Sequence, residues 1–316
     1  MKSIKEPIPL EEITHFLKEE ISGIQDIFSI KPIHKGFSKD QKYMIDDRYL
    51  LRMFSSDEVP QRQQEVEIVT QLAQYSDYIP KVIQSGRWEK CKMGYMLLEY
   101  MPGTDGVEAL PLLSLQQQYE AGYQAGEELY KLHQYRAPTN LPNWYTMKKA
   151  KNDRYLQQLE QVNIDPKIKQ LVTHYIHQHE HLMKDRPSTF QHDDFHPSNL
   201  IIHEGVFAGI IDFGRMDWGD PIHDLQKLGF FSVPVSVEWS KGIIDGYHHG
   251  EAIPSSFWQL LSLYEAIHIV SAWVWGAKLG KEQYELLFNS SMNVLDYYDF
   301  FQSSIPSWYN QSNYLK

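Results

Sequence analysis

"FQHDDFHPSNLII" occupies Phe190–Ile202. It sets two aspartates, Asp193 and Asp194, side by side after a histidine and just ahead of an apolar, strand-like run. Adjacent like charges at the mouth of an apolar segment admit two readings. Either one carboxylate does chemistry and the other tolerates its company, or the pair is an acidic surface turn. Working outward, His192, Asp194 and Asn199 are spaced H-x-D-x4-N. After one strand and a turn comes "IDFG", which puts Asp212 at the end of the next strand.

The chain around this stretch has 316 residues, enough for two domains or one large one. Apolar residues make up 42%, so sizeable cores are possible. A single cysteine, Cys91, excludes an intrachain disulfide and suits a reducing compartment. "MKSIKEPIPLEEITHF" lacks an apolar core of signal-peptide length, and no run approaches the roughly 18 uninterrupted apolar residues of a membrane span. The expectation is a soluble, cytoplasmic protein with no membrane partner. Net charge is −11, and Phe190–Lys316 holds 15 acidic against 6 basic residues, a balance of −9. That disfavours nucleic acid, whose phosphates need Lys and Arg. It suits a cationic ligand or bound metal ions, while acidity serving solubility is the plainer account.

Periodicity divides the chain in two. Leu10–Phe28 reads as a helix, with Ile13, Phe16, Leu17, Ile21 and Ile24 near a 3.6-residue repeat. Two strand-like runs follow, turning at Asp46-Asp47, then a helix with Val66, Val69 and Leu72 on one face, then two more strands. Beyond "MPGTDG" the pattern becomes helical, punctuated by Pro138, Pro142 and Pro166 and interrupted by the short strand pair "NLIIHEG" and "VFAGIIDFG". The predicted class is α+β: a small antiparallel-sheet lobe over 1–101, joined through Glu99–Gly103 to a larger, mostly helical lobe over 102–316.

H-x-D-x4-N followed by D-F-G is the spacing of a kinase catalytic loop and its metal-binding aspartate. One aspartate accepts, or orients, the proton of an attacking hydroxyl. An asparagine and a second aspartate hold magnesium against nucleotide phosphates. By register Asp194 is the candidate base, Asn199 and Asp212 are the metal ligands, and Asp193 falls where the motif asks nothing of a side chain.

With "QHDDFHPSNL", "IIDFGRMDWGDPIHDL", "KLH" at Lys131–His133 and "LLEYMPG" at the lobe junction, the whole chain resembles the aminoglycoside phosphotransferase family. These are small-molecule kinases with a protein-kinase-like fold. The resemblance implies ATP or GTP as donor, Mg2+ as cofactor, and a hydroxylated small molecule, an aminoglycoside or related amino-sugar compound, as acceptor. It also implies that Gly36 and Ser38 lie in a turn covering the phosphates, whose backbone N–H groups bind anions. Arg52 stands where kinases place a phosphate-pairing lysine, with Glu65 as its ion-pair partner; a strand arginine bonded to a surface acid is the plainer alternative. The Glu99 carbonyl and the Met101 N–H, with Leu98 behind them, would meet the nucleotide base. The family usually has glycine at the position of Asp193, and this chain departs there.

Other conspicuous residues have structural explanations. His174, His177 and His181 share a helical face at ligand-like spacing, but no Cys or acid pattern completes a zinc site. His133 and His192 read as buried scaffold groups, Asp220 and Asp224 as braces, and the tryptophans as mostly core. Acceptors other than an amino-sugar, namely a macrolide, a sugar, choline or homoserine, fit the same fold. A phosphohydrolase using His192-Asp193 as a metal pair would need further His and Asp ligands. A non-catalytic nucleotide-binding regulator is suggested by Arg52 and Asp193, and opposed by the intact Asp194, Asn199 and Asp212. A cationic acceptor would draw on acids such as Asp217, Glu265, Asp296 and Asp299.

Overall fold

Five strands form an antiparallel sheet in the order β1-β2-β3-β5-β4: Ile30–Ile33, Gln41–Ile45, Tyr49–Ser55, Met93–Glu99 and Val82–Trp88 respectively. The computed structural model describes residues 8–24, 26–35 and 39–310. The chain divides into two compact units, Met1–Gly103 with Ala208–Gly214, and Thr104–Phe207 with Arg215–Lys316.

In the smaller unit the β2–β3 hairpin turns where predicted. Asp46 and Asp47 both take left-handed φ values, 52° and 53°, as a tight hairpin turn requires and as Asp tolerates better than most residues. Helix α1 (Leu10–Glu20) is shorter than its apolar period suggests. Gly23, at φ 88°, breaks the helix, and Ile21 and Ile24 reach the core from a loop instead. Phe16 packs its ring 4.6 Å from Trp88 and 4.9 Å from Tyr95, so one face of the sheet is closed by α1. Helix α2 (Val59–Leu72) lays Val66 against a cluster of Phe54, Met96 and Leu98 on β3 and β5.

The larger unit begins with β6 (Thr104–Asp105) and a four-residue helix α3 (Gly106–Ala109). Helices α4 (Leu115–Leu132), α5 (Trp144–Leu159) and α6 (Pro166–His179) follow, each started by a side chain that satisfies an orphan N–H: Ser114 with Gln117 in a capping box, Asn143, and Asp165. The short strands are β7 (Thr189–Gln191), β8 (Leu200–His203), β9 (Val206–Ile210) and β10 (Asp217–Gly219). β10 pairs antiparallel with β7, and β6 with β8. A 3-10 helix at Pro221–Lys227 runs directly into a π-helical turn at Leu228–Ser232. Helices α7 (Val237–Tyr247), α8 (Ser255–Leu279), α9 (Lys281–Tyr297) and the four-residue α10 (Ser307–Asn310) follow. Among the described residues α8 alone is long and apolar enough to cross a membrane, and 78% of its most apolar window is buried inside the protein.

Candidate active site

The loop between β7 and β8 carries the first two candidate groups. Its conformation is imposed by Asp224, a buried carboxylate on the 3-10 helix. Asp224 accepts the backbone N–H of His192 at 2.6 Å and of Asp193 at 2.7 Å, and its Oδ2 lies 3.0 Å from His133 Nε2. His133 in turn meets the Tyr247 hydroxyl at 2.8 Å, and His192, fully buried, takes the Asp194 N–H on Nδ1 at 3.2 Å. Both histidines are therefore scaffold, as read from the sequence. Asp220 is a brace as well: it receives the Arg186 guanidinium at 2.6 and 3.0 Å and the Tyr264 hydroxyl at 2.7 Å.

Asp194 and Asn199 are brought together. Asn199 Nδ2 donates to the Asp194 carbonyl at 2.9 Å and to its Oδ2 at 3.2 Å. That fixes the amide and leaves its oxygen as the free end. Asp194 Oδ1 takes the Lys227 ammonium at 2.5 Å and lies 3.3 Å from His196 Nε2; Arg215 Nε stands 3.8 Å from Oδ2. Burial favours the protonated acid, but the bond from His196 and the charge of Lys227 outweigh it and hold Asp194 well below the usual carboxylate range. Asp194 is thus a carboxylate at any working pH.

Its neighbour faces a different environment. Asp193 has φ 56°, and its carboxylate lies 3.7 Å from His223 Nδ1, beyond hydrogen-bond range. His223 Nε2 is bonded to the Lys148 ammonium on α5. Burial, with repulsion from Lys151, lowers Lys148 to about 7; burial and Lys148 push His223 well below its ordinary value. Burial raises Asp193, while Lys227 opposes the rise. The two aspartates are thus divided between partners: Asp194 belongs to Lys227, His196 and Asn199, and Asp193 faces the His223–Lys148 pair.

In the smaller unit, Arg52 and Glu65 form the predicted ion pair, Nη1 to Oε1 at 2.8 Å. The pair is half of a larger network. Arg52 also donates to Asp40 through Nε at 2.9 Å and Nη2 at 2.7 Å, and Arg62 bridges Glu65 at 3.0 Å and Asp40 at 2.8 Å. Burial works against the Arg52 charge, yet Glu65 and Asp40 more than restore it, and Asp212 adds to their effect. Asp212 belongs to this unit and, like Asp193, is left-handed, at φ 67°. At the end of β5 the Glu99 N–H goes to the Lys81 carbonyl and the Tyr100 N–H to the Arg48 carbonyl, both at 2.8 Å. A Cβ on Gly209 would stand 2.2 Å from the Met101 methyl, the movable end of a flexible side chain, and 3.1 Å from the Tyr78 carbonyl oxygen. Gly36 and Ser38 lie outside the described residues.

Several functional neighbours were not singled out from the sequence. Asp40 and Arg62 carry no motif, although Arg62 three positions before Glu65 is ordinary helical pair spacing. Lys227 had a signal: a cation inside the apolar run "LQKLGFFS" has to find a partner if buried. Glu265, offered as an acceptor-binding acid, is fully buried over Gly229, whose N–H it accepts at 3.3 Å. Burial raises it to about 8, so it holds its proton at neutral pH and supplies no charge to a cation. His174, His177 and His181 lie on an exposed face, and no group of three or more His, Cys, Asp or Glu among the described residues forms a metal cluster.

An antiparallel-sheet unit with an ion-paired helix, followed by a helical unit holding an Asp–Asn loop, is a protein-kinase-like fold. The model of the phosphotransferase enzyme family (APH) matches residues 29–257. The chain belongs to this family and is a small-molecule kinase. No curated protein sequence matches it. Among solved structures it is similar to the GDP complex of wild-type aminoglycoside 2'-phosphotransferase-IIIa, at 16% identity and TM-score 0.67 over 91% of this chain and 99% of that one. The streptomycin–ATP–APH(2")-IIa ternary complex matches at 18% and 0.62, over 96% and 99%. A choline/ethanolamine kinase family protein from Mesorhizobium loti matches at 17% and 0.63, over 92% and 96%. At these identities the likeness is one of fold.

Proposed function

We propose that the chain transfers the γ-phosphoryl group of ATP or GTP to a hydroxyl of a small cationic molecule, with an amino-sugar of the aminoglycoside kind as the leading acceptor. The observation that carries this reading is the Asp194–Asn199 pair, an ionised carboxylate tied to an amide whose oxygen is left free. The acceptor oxygen attacks the γ-phosphorus and its proton passes to Asp194. The bond from phosphorus to the bridging oxygen breaks, and the nucleoside diphosphate leaves with that electron pair. A carboxylate held so far below its ordinary range is a weak base. It suits a loose phosphoryl-transfer transition state, which asks more for an oriented hydroxyl than for a strong base.

Asn199 and Asp212 are the residues that would hold magnesium, each offering an oxygen donor of the hard kind that this ion prefers. Magnesium held by them would neutralise charge at the phosphates. Arg52, kept charged by Asp40 and Glu65, is the phosphate-pairing cation. The Glu99 carbonyl and the Met101 N–H take the base. The similarity in fold to a choline/ethanolamine kinase family protein favours a second acceptor reading, a smaller quaternary or primary amine.

The test is nucleotide turnover over a panel of amino-sugars, choline, macrolides, homoserine and plain sugars, with and without magnesium. Asp212→Asn is expected to weaken magnesium–nucleotide binding by at least about tenfold, because an amide donates no charge to a hard dication. Wild-type affinity of that variant by calorimetry excludes the metal assignment, and absence of turnover on every acceptor excludes the kinase reading.

A further inference from the structure

We propose that Lys227 is a positioning residue for phosphoryl transfer, holding Asp194 Oδ1 so that Oδ2 alone is presented to the acceptor hydroxyl. This rests on the phosphotransferase reading above. Lys227 is the last residue of the 3-10 helix, at its junction with the π-helical turn, a irregularity of backbone that often marks functional positions. The residue is buried, and its ammonium bridges two parts of the catalytic loop: the Asp193 carbonyl at 2.6 Å and Asp194 Oδ1 at 2.5 Å. One contact ties the ammonium to the backbone of the loop and the other turns the carboxylate. A carboxylate held at one oxygen by a backbone-anchored cation cannot rotate freely about its Cβ–Cγ bond.

The distribution of contacts on the two oxygens is unequal. Oδ1 carries Lys227 at 2.5 Å and His196 at 3.3 Å, whereas Oδ2 has only the Asn199 amide at 3.2 Å and the exposed Arg215 at 3.8 Å. Oδ2 therefore keeps the lone pairs that a hydroxyl proton can reach. A merely structural role, neutralising one acid of an adjacent pair, would be met by charge alone and would not depend on where the nitrogen sits. Orientation does depend on it, because misplacement by about 1 Å is enough to cost on the order of 10²-fold in rate.

The experiment measures nucleoside diphosphate formation from ATP and from GTP with magnesium, with water as the acceptor and again with the acceptor panel, alongside nucleotide binding by calorimetry and thermal unfolding. Lys227→Met is expected to lower kcat on the order of 10²-fold at unchanged nucleotide affinity, since only the orientation of the base is lost. Lys227→Arg, which keeps the charge at a displaced nitrogen, is expected to fall between the two. If Lys227→Met does not fold, Lys227→Gln takes its place and is read the same way. Wild-type kcat in the neutral variant overturns the proposal, as does a loss of rate that tracks a loss of nucleotide affinity, or full rescue by Lys227→Arg. Those outcomes leave the kinase reading intact; a wild-type protein that turns over no nucleotide with any acceptor removes both.

Discussion

Asp193 occupies a backbone position made for glycine. At φ 56° its Cβ crowds the following carbonyl, a cost of about 1 kcal/mol for most residues that Asp reduces through its short polar side chain. The register that points to Asp194 rather than Asp193 is read from H-x-D-x4-N, because the motif counts residues. The partners that let the pair coexist were not legible, because Lys227 and Asp224 lie 33 and 31 positions away from Asp194 and Asp193. Asp193→Gly should therefore change stability by less than about 1 kcal/mol in denaturant titration, since relief of the left-handed residue is offset by the added freedom of the unfolded chain, and leave turnover near wild type. Asp194→Ala should lose on the order of 10²-fold or more in kcat while still binding nucleotide. An inactive Asp193→Gly beside an active Asp194→Ala reverses the assignment.

At the scale of elements, the antiparallel sheet and the long helices could be read from period and punctuation, whereas α7 could not. Its sequence, "VEWSKGIIDGY", contains Gly242 and Gly246, and each glycine costs a helix about 1 kcal/mol relative to alanine. Those same glycines are the reason the helix exists where it does. A Cβ on Gly246 would stand 1.9 Å from the Tyr123 carbonyl oxygen of α4, and one on Gly242 would stand 2.2 Å from that of Tyr119. From the other side, Gly122 and Gly126 of α4 admit the carbonyls of Trp239 and Ile243. Backbone approach this close replaces side-chain packing with direct contact between helix surfaces, so tertiary structure overrides propensity. Over-extension of α1 has the opposite cause: Ile21 and Ile24 keep the helical period and are buried, but from a loop. Gly246→Ala should destabilise by about 1–3 kcal/mol, since the added methyl meets backbone rather than a movable side chain. An unchanged denaturation midpoint would show that α4 and α7 can separate without loss.

For the molecule as a whole, the question is what its acidity recognises. The balance of −9 after Phe190 is a property of the sequence, but the structure redistributes it. Glu265 is withdrawn as a buried, protonated acid, Asp220 is matched by Arg186, and Asp224 is spent on the loop between β7 and β8. Asp194 is matched by Lys227, and Lys148, at about 7, contributes only part of a charge at neutral pH. Asp217, Asp296 and Asp299 remain exposed and available to a cation. Charges in solvent act over about 10 Å at 0.1 M salt and about 3 Å at 1 M, so a contribution from them must fade as salt rises. The KM of an amino-sugar acceptor should accordingly increase by roughly severalfold to tenfold between low and high ionic strength, through loss of steering and of affinity together. Replacing Asp217, Asp296 and Asp299 by Asn should flatten that dependence, whereas Glu265→Gln should leave its slope unchanged because no charge is removed there. A KM that is flat against salt, with an uncharged sugar or macrolide preferred over every amine, would assign the acidity to solubility and the acceptor to the uncharged class.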